Sequence, residues 1–129
     1  MNVLIKKVKI IDSQSQFHNQ IFDVEIFKGK IRNIAVDLPL PADCTVIEIP
    51  NLHLSPGWFD TSVSLGEPGF EDRETIENGL NVAAKSGFTA VALQPNSYPV
   101  IDNQSQIQFV KSKAQNSSVE LFQIGRAHV

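Results

Sequence analysis

The sequence predicts an α/β chain in two parts. A β-rich first half, a small sheet or sandwich, precedes a parallel sheet with helices that is either open or the beginning of a barrel. Two observations carry this. Between Val3 and Ile49, short apolar–polar runs are punctuated by glycine and proline, as in small strands joined by tight turns. From Leu52 onward, apolar runs and helically spaced apolar residues alternate as strand, helix, strand, helix, strand.

The elements follow in order. Val3 to Asp12 starts as an apolar cluster and continues in alternation, and Ile21 to Phe27 is a second apolar–polar run, with Phe22, Val24 and Ile26 on one face and Ile21, Asp23, Glu25 and Phe27 on the other. The polar stretch Asp12 to Gln20 reads as a hairpin loop. Lys28-Gly29-Lys30 turns the chain into a strand from Ile31 to Val36, and Leu38-Pro39-Leu40-Pro41 separates this from Thr45 to Ile49. Leu52 to Leu65 is strand-like, broken at Pro56-Gly57. Ile76, Leu80, Ala83 and Ala84 recur at helical spacing, which predicts a helix over 71–86. Glu71, Asp72 and Glu74 would suit its positive end, and Gly87 its C-terminal cap. Phe88 to Leu93 is a nearly continuous apolar strand, as expected where both faces are buried. Asp102 to Ala114 is a weaker helix with Ile107, Val110 and Lys111 on adjoining turns, and Val119 to Ile124 is the last strand.

The composition excludes several classes. The chain has 129 residues, about one average domain, with 42% hydrophobic and 19% charged residues and a formal charge of −3. That argues against a disordered tail and against nucleic-acid binding by phosphate neutralisation. The single cysteine, Cys44, can form neither an internal disulfide nor a cysteine-based zinc site, and no two of His18, His53 and His128 stand at ligand spacing. Met1 to Lys7 lacks a signal-peptide core and no apolar run is long enough for a membrane span, so a cytoplasmic location is expected.

Residues 55–103 carry more specific information. Ser55-Pro56-Gly57-Trp58-Phe59-Asp60, Glu67-Pro68-Gly69-Phe70-Glu71, Glu74-Thr75-Ile76, Ala83-Ala84-x-x-Gly87-Phe88-Thr89 and Pro95-Asn96-Ser97-x-Pro99-Val100-Ile101-Asp102-Asn103 follow one another in fixed order. In that order and spacing the stretch resembles the start of a dihydroorotase of the amidohydrolase superfamily. The resemblance implies the start of a (β/α)8 metal-dependent-hydrolase-type barrel preceded by a small N-terminal β-sandwich segment. Residues 1–54 would be the sandwich segment, and 55–125 the first three strands and two helices of a truncated barrel. A complete barrel takes roughly 250 residues. Arg126-Ala127-His128-Val129, after Ile124-Gly125, matches one reading frame of a common sequencing adapter, so 126–129 is expected to be a non-native tail and His128 is given no role.

In the family the first barrel strand ends in Asp-x-His-x-His, followed by leucine and arginine. Two histidines two residues apart point to one side of a strand and hold zinc there. Here the segment is Asp60-Thr61-Ser62-Val63-Ser64-Leu65-Gly66. Ser62 and Ser64 stand at the ligand positions and Gly66 at the position of the substrate-binding arginine. A neutral hydroxyl is a poor zinc ligand beside an imidazole, and glycine cannot grip a carboxylate. No metal or other cofactor is therefore expected for this chain, although the family uses zinc. Asn96 matches a position that helps to bind substrate.

Each position also has a plain structural reading. Ser62 and Ser64 lack a histidine partner and a nucleophile elbow, and would fill an emptied pocket with water. Asp60 is expected to hydrogen-bond nearby backbone. A hard-cation site rebuilt from Asp60, Glu67 and Asp72 is conceivable, with nothing in the spacing to favour it. Asn96 sits in turn chemistry as readily as in a pocket. His53 is expected to be half-buried and held by backbone, His18 solvated and Cys44 inert. Lys6, Lys7 and Lys9 are expected on a solvated sheet edge.

Three functions follow. The favoured one is a non-catalytic dihydroorotase-like protein of pyrimidine biosynthesis, acting as a scaffold or regulatory partner of aspartate carbamoyltransferase, with a homodimer as a further expected assembly. The second is an active cyclic amidohydrolase that converts dihydroorotate to N-carbamoyl-aspartate with ligands outside this stretch. The third is a metal-free small-molecule binder that uses the pocket around Asn96.

Overall fold

A computed structural model describes residues 2–125; the tail reading of 126–129 lies outside them. The chain divides into two units between Pro56 and Gly57.

The first unit is one five-stranded sheet. Strand β1 (Asn2–Ile10) pairs antiparallel with β2 (Ile21–Phe27), which pairs antiparallel with β3 (Lys30–Ala35). On the other side of β1, two short parallel strands follow one another along its length, β4 (Thr45–Ile47) and β5 (His53–Leu54). Strand β1 therefore lies inside the sheet, which corrects the reading of its lysines as edge residues. Lys6 approaches Asp23 at 3.5 Å and Lys7 approaches Glu48 at 3.1 Å, so these ammonium groups have carboxylate partners.

A register shift between Ile5 and Val8 explains the uneven pattern in β1. Val3 and Ile5 share a face, and plain alternation would send Val8 and Ile10 to the opposite one. The extra residue at Lys6-Lys7 restores them to the core, where all four pack with Val24. Lys7 takes φ 50° at this point. Its N–H donates to the carboxylate of Asp23 at 2.8 Å, and Leu38 N–H donates to the other oxygen at 3.1 Å. Asp23 is 2% exposed. It thus satisfies two backbone donors that the irregular chain leaves without ladder partners. Phe17 folds the 11–20 loop back onto Phe22 in an edge-to-face contact.

The second unit is a parallel sheet in the order β6 (Trp58–Val63), β7 (Phe88–Leu93), β8 (Glu120–Gln123). Helix α1 (Ile76–Lys85) joins β6 to β7, and α2 (Gln104–Ala114) joins β7 to β8. Ile76, Leu80 and Val110 of the helices close over Val91 and Leu93, with Ile101 and Val119 completing the core. Alternation turns Ala90 and Ala92 to the opposite face. There Phe59 and Phe122 meet across the central strand, ring centroids 5.7 Å apart, and both stay about half exposed.

Helix α1 starts at Ile76, later than the sequence predicts. The segment 66–74 is held in turns by Phe70 N–H on the Gly66 carbonyl and Arg73 N–H on the Phe70 carbonyl. Thr75 then caps the helix by accepting from Asn78 N–H at 3.2 Å. Glu71 and Asp72 consequently precede the helix, and Glu77 is the acidic residue of its first turn. Gly87 follows at φ 87°, the left-handed conformation that ends a helix on glycine. Asn103 caps α2 through Gln106 N–H.

Replacing Asp23 by alanine should lower stability by about 2 kcal/mol, because two partly buried N–H groups lose their acceptor. Asp23→Asn, which keeps one acceptor oxygen, should cost less. Denaturant midpoints of the two variants against wild type check this ordering.

Candidate functional site

Polar side chains gather where the parallel strands end. In β6 the pairing register shifts between Asp60 and Val63, and the Asp60 carboxylate accepts Ser62 N–H at 2.9 Å within that irregular stretch. Val63 and Leu65 pack into the helix-covered core, so Ser62 and Ser64 face the other side. Strand β7 continues into Gln94 and Asn96. Gln94 Nε2 donates to Ser62 Oγ at 3.1 Å, and Asn96 Nδ2 donates to Ser64 Oγ at 2.7 Å. The two serines are thus engaged by carboxamides of the segment that follows β7. The reading that they face an emptied, water-filled pocket missed these partners, and it missed Gln94 altogether. A polar residue directly after the apolar run Phe88 to Leu93 was the available signal.

Gly66 is buried, and its place is set by close approach. A Cβ there would collide with the Phe70 carbonyl oxygen and lie 2.9 Å from that of Glu74. This turn leaves no room for a long side chain.

Glu67 is also spent in the fold. One carboxylate oxygen accepts Ile76 N–H at 3.0 Å, and the other meets Lys113 of α2 at 2.9 Å. Its side chain is 6% exposed. The hydrogen bond and charge of Glu67 raise the Lys113 pKa above its ordinary value. Glu71 accepts Gly69 N–H, and this backbone hydrogen bond holds its carboxyl below the usual range. Asp72 is exposed. Asp60, Glu67 and Asp72 do not assemble into a cation site, and among the described residues no three His, Cys, Asp or Glu side chains do so.

The remaining singled-out residues lie in the first unit. His53 is exposed rather than half-buried, with Nδ1 donating to the Asn51 carbonyl at 2.8 Å. His18 is exposed and accepts Asp12 N–H at 3.1 Å. Cys44 is half-buried, with its thiol 3.5 Å from the Thr45 carbonyl oxygen.

The donor set at the rim does not fit zinc. Two neutral hydroxyls, each already accepting a carboxamide N–H, offer a metal neither charge nor a free imidazole nitrogen.

Parallel strands joined by helices, with polar side chains beyond the strand ends, make the second unit a β/α scaffold. An L-hydantoinase (dihydropyrimidinase) from Arthrobacter aurescens matches with TM-score 0.78 at 21% identity, over 95% of this chain and 27% of that one. A dihydroorotase crystal structure matches with TM-score 0.66 at 19% identity, over 96% of this chain and 30% of that one. A family model described as dihydro-orotase-like matches residues 52–123, and the chain belongs to that family. It is 36% identical over 126 residues to the dihydroorotase of Geotalea daltonii, covering 97% of this chain and 29% of the relative. Against the dihydroorotase of Citrifermentans bemidjiense the identity is 37% over 126 residues, with 97% and 30% covered. The chain therefore spans less than a third of the length of these relatives. Among the described residues no helix is long and apolar enough to cross a membrane.

Two outcomes follow from this geometry. Gly66→Ala should destabilise the protein by about 1–3 kcal/mol, since the backbone it meets cannot yield as a side chain would; thermal unfolding measures it. The Lys113 ion pair gives a pH signature. With a raised folded-state pKa, its contribution is complete below the ordinary lysine pKa of about 10.4 and is lost as pH rises through the raised value. The melting-temperature gap between wild type and Lys113→Met should therefore be constant from pH 7 to 9 and shrink above that window.

Proposed function

We propose that this chain belongs to a dihydroorotase-like amidohydrolase homologue that does not carry out the zinc-dependent hydrolysis of dihydroorotate. In this reading it serves pyrimidine biosynthesis as a scaffold or regulatory partner of aspartate carbamoyltransferase. The observation that supports it is the pairing of Ser62 with Gln94 and of Ser64 with Asn96. Where the resemblance implies histidine ligands, the hydroxyls are neutral and engaged. The tight turn at Gly66 adds to this, because the position aligned with a substrate-binding arginine has no space for one.

The proposal includes the larger architecture. The second unit is read as the opening of a (β/α)8 barrel, and the first as a segment of a β-sandwich. Three features support continuation beyond β8. Its outer edge is unpaired among the described residues, a cleft of about 440 Å³ lies against it beside Ile107 and Leu121, and the buried Gln123 amide has no hydrogen-bond partner there.

The test is dihydroorotate turnover by the natural protein, with zinc supplied and both directions assayed, against a metal-stripped control. The expected outcome is no turnover above the control, together with co-elution with aspartate carbamoyltransferase on size exclusion. Turnover well above the control would overturn the non-catalytic reading in favour of an amidohydrolase whose metal ligands come from other residues. Separate elution of the two proteins would remove the partner.

A further inference from the structure

The two hydroxyl–carboxamide contacts share one register. Ser62 meets Gln94 and Ser64 meets Asn96, so both span the same sequence separation, and on each side the partners lie two residues apart. Ser64, Gln94 and Asn96 lie just past the ends of β6 and β7, and the equal spacing sets the two contacts one after the other along the chain segments that leave the strands. The contacts lie where the backbone ladder is irregular. The β6–β7 pairing shifts between Asp60 and Val63, and the Gln94 N–H bond to the Val63 carbonyl, at 2.9 Å, sits between the two side-chain contacts.

We infer that these paired contacts are the cross-strand tie of the rim, joining the C-terminal ends of β6 and β7 so that this part of the fold holds its shape without a metal ion. The chemistry favours the tie over a metal. Each serine oxygen already accepts an amide N–H, and the lone pair it has left belongs to a neutral hydroxyl, a poor ligand for zinc. A carboxamide suits the task because it is neutral, carries two donors and still has its carbonyl to offer to solvent.

The backbone amide of Gln94 is the probe, since its bond to Val63 lies between the two contacts. Hydrogen exchange on the natural protein should show this amide equally protected in EDTA and in added zinc. Ser62→Ala with Ser64→Ala should speed its exchange by roughly tenfold, about one net hydrogen bond's worth. Ser62→Thr with Ser64→Thr, which keeps both hydroxyls, should restore the protection. Protection that EDTA abolishes would overturn the inference, as would an alanine pair that exchanges like wild type. If the alanine pair fails to fold, Asn96→Ala alone gives the same reading through the outer contact. Turnover is a separate readout: an active protein whose Gln94 amide stays protected in EDTA would sink the non-catalytic reading and leave the tie standing. EDTA-sensitive protection without turnover would do the reverse.

Discussion

The second unit depends on a buried carboxylate. Glu67 lies beyond the β6 strand end, after Ser64, Leu65 and Gly66, and its two oxygens fix two helices at once, through the first backbone donor of α1 and the Lys113 ammonium of α2. A carboxylate at a helix N-terminus is favoured by the unpaired N–H groups and by the dipole, and a charged partner offsets part of its burial. Because the Lys113 side chain is exposed, the ion pair adds little net stability. What it contributes is position. With α1 and α2 keyed to residue 67, the turn at Gly66 and the end of β6 are held, and the serines just before it are presented to Gln94 and Asn96.

The first unit uses the same device for another purpose. Asp23 takes up N–H groups that the bulge in β1 and the chain near Leu38 leave unpaired. In both units a buried acidic side chain accepts backbone N–H groups that regular structure leaves unpaired, Asp23 beside the β1 bulge and Glu67 at the start of α1. Irregular backbone inside a protein persists only where such partners exist. The acids a sequence reader takes for metal ligands are therefore equally suited to serve as backbone caps, and Glu67 is one of them.

Much of the architecture was legible because it rests on periodicity. Apolar spacing located the strands and helices of the second unit, and Gly87 marked the end of α1. Local competition was harder to read. Glu71 and Asp72 suit a helix start, but Thr75 and Glu67 cap the helix later, and the second of these acts through tertiary structure. The lysines of β1 suggested an edge, whereas β1 pairs with β2 on one side and with β4 and β5 on the other, which the run of lysines did not reveal. At the rim, Asp60, Ser62, Ser64 and Asn96 could be placed at strand ends from the α/β order alone. Their pairing could not, because it depends on the register between β6 and β7 and on Gln94, whose meaning arises only beside Ser62.

The neutrality of the rim contacts has a consequence for how this surface responds to its surroundings. Ion pairs such as Lys7 with Glu48 sit in solvent, weaken as ionic strength rises and dissolve at extremes of pH. Hydroxyl and carboxamide groups carry no formal charge and do not titrate between acid and alkali. The pattern of donors and acceptors along Ser62, Gln94, Ser64 and Asn96 is thus the same in dilute and concentrated salt. A molecule that recognises this edge meets a surface whose hydrogen-bonding character is set by covalent structure and register, independent of the ionic conditions around it.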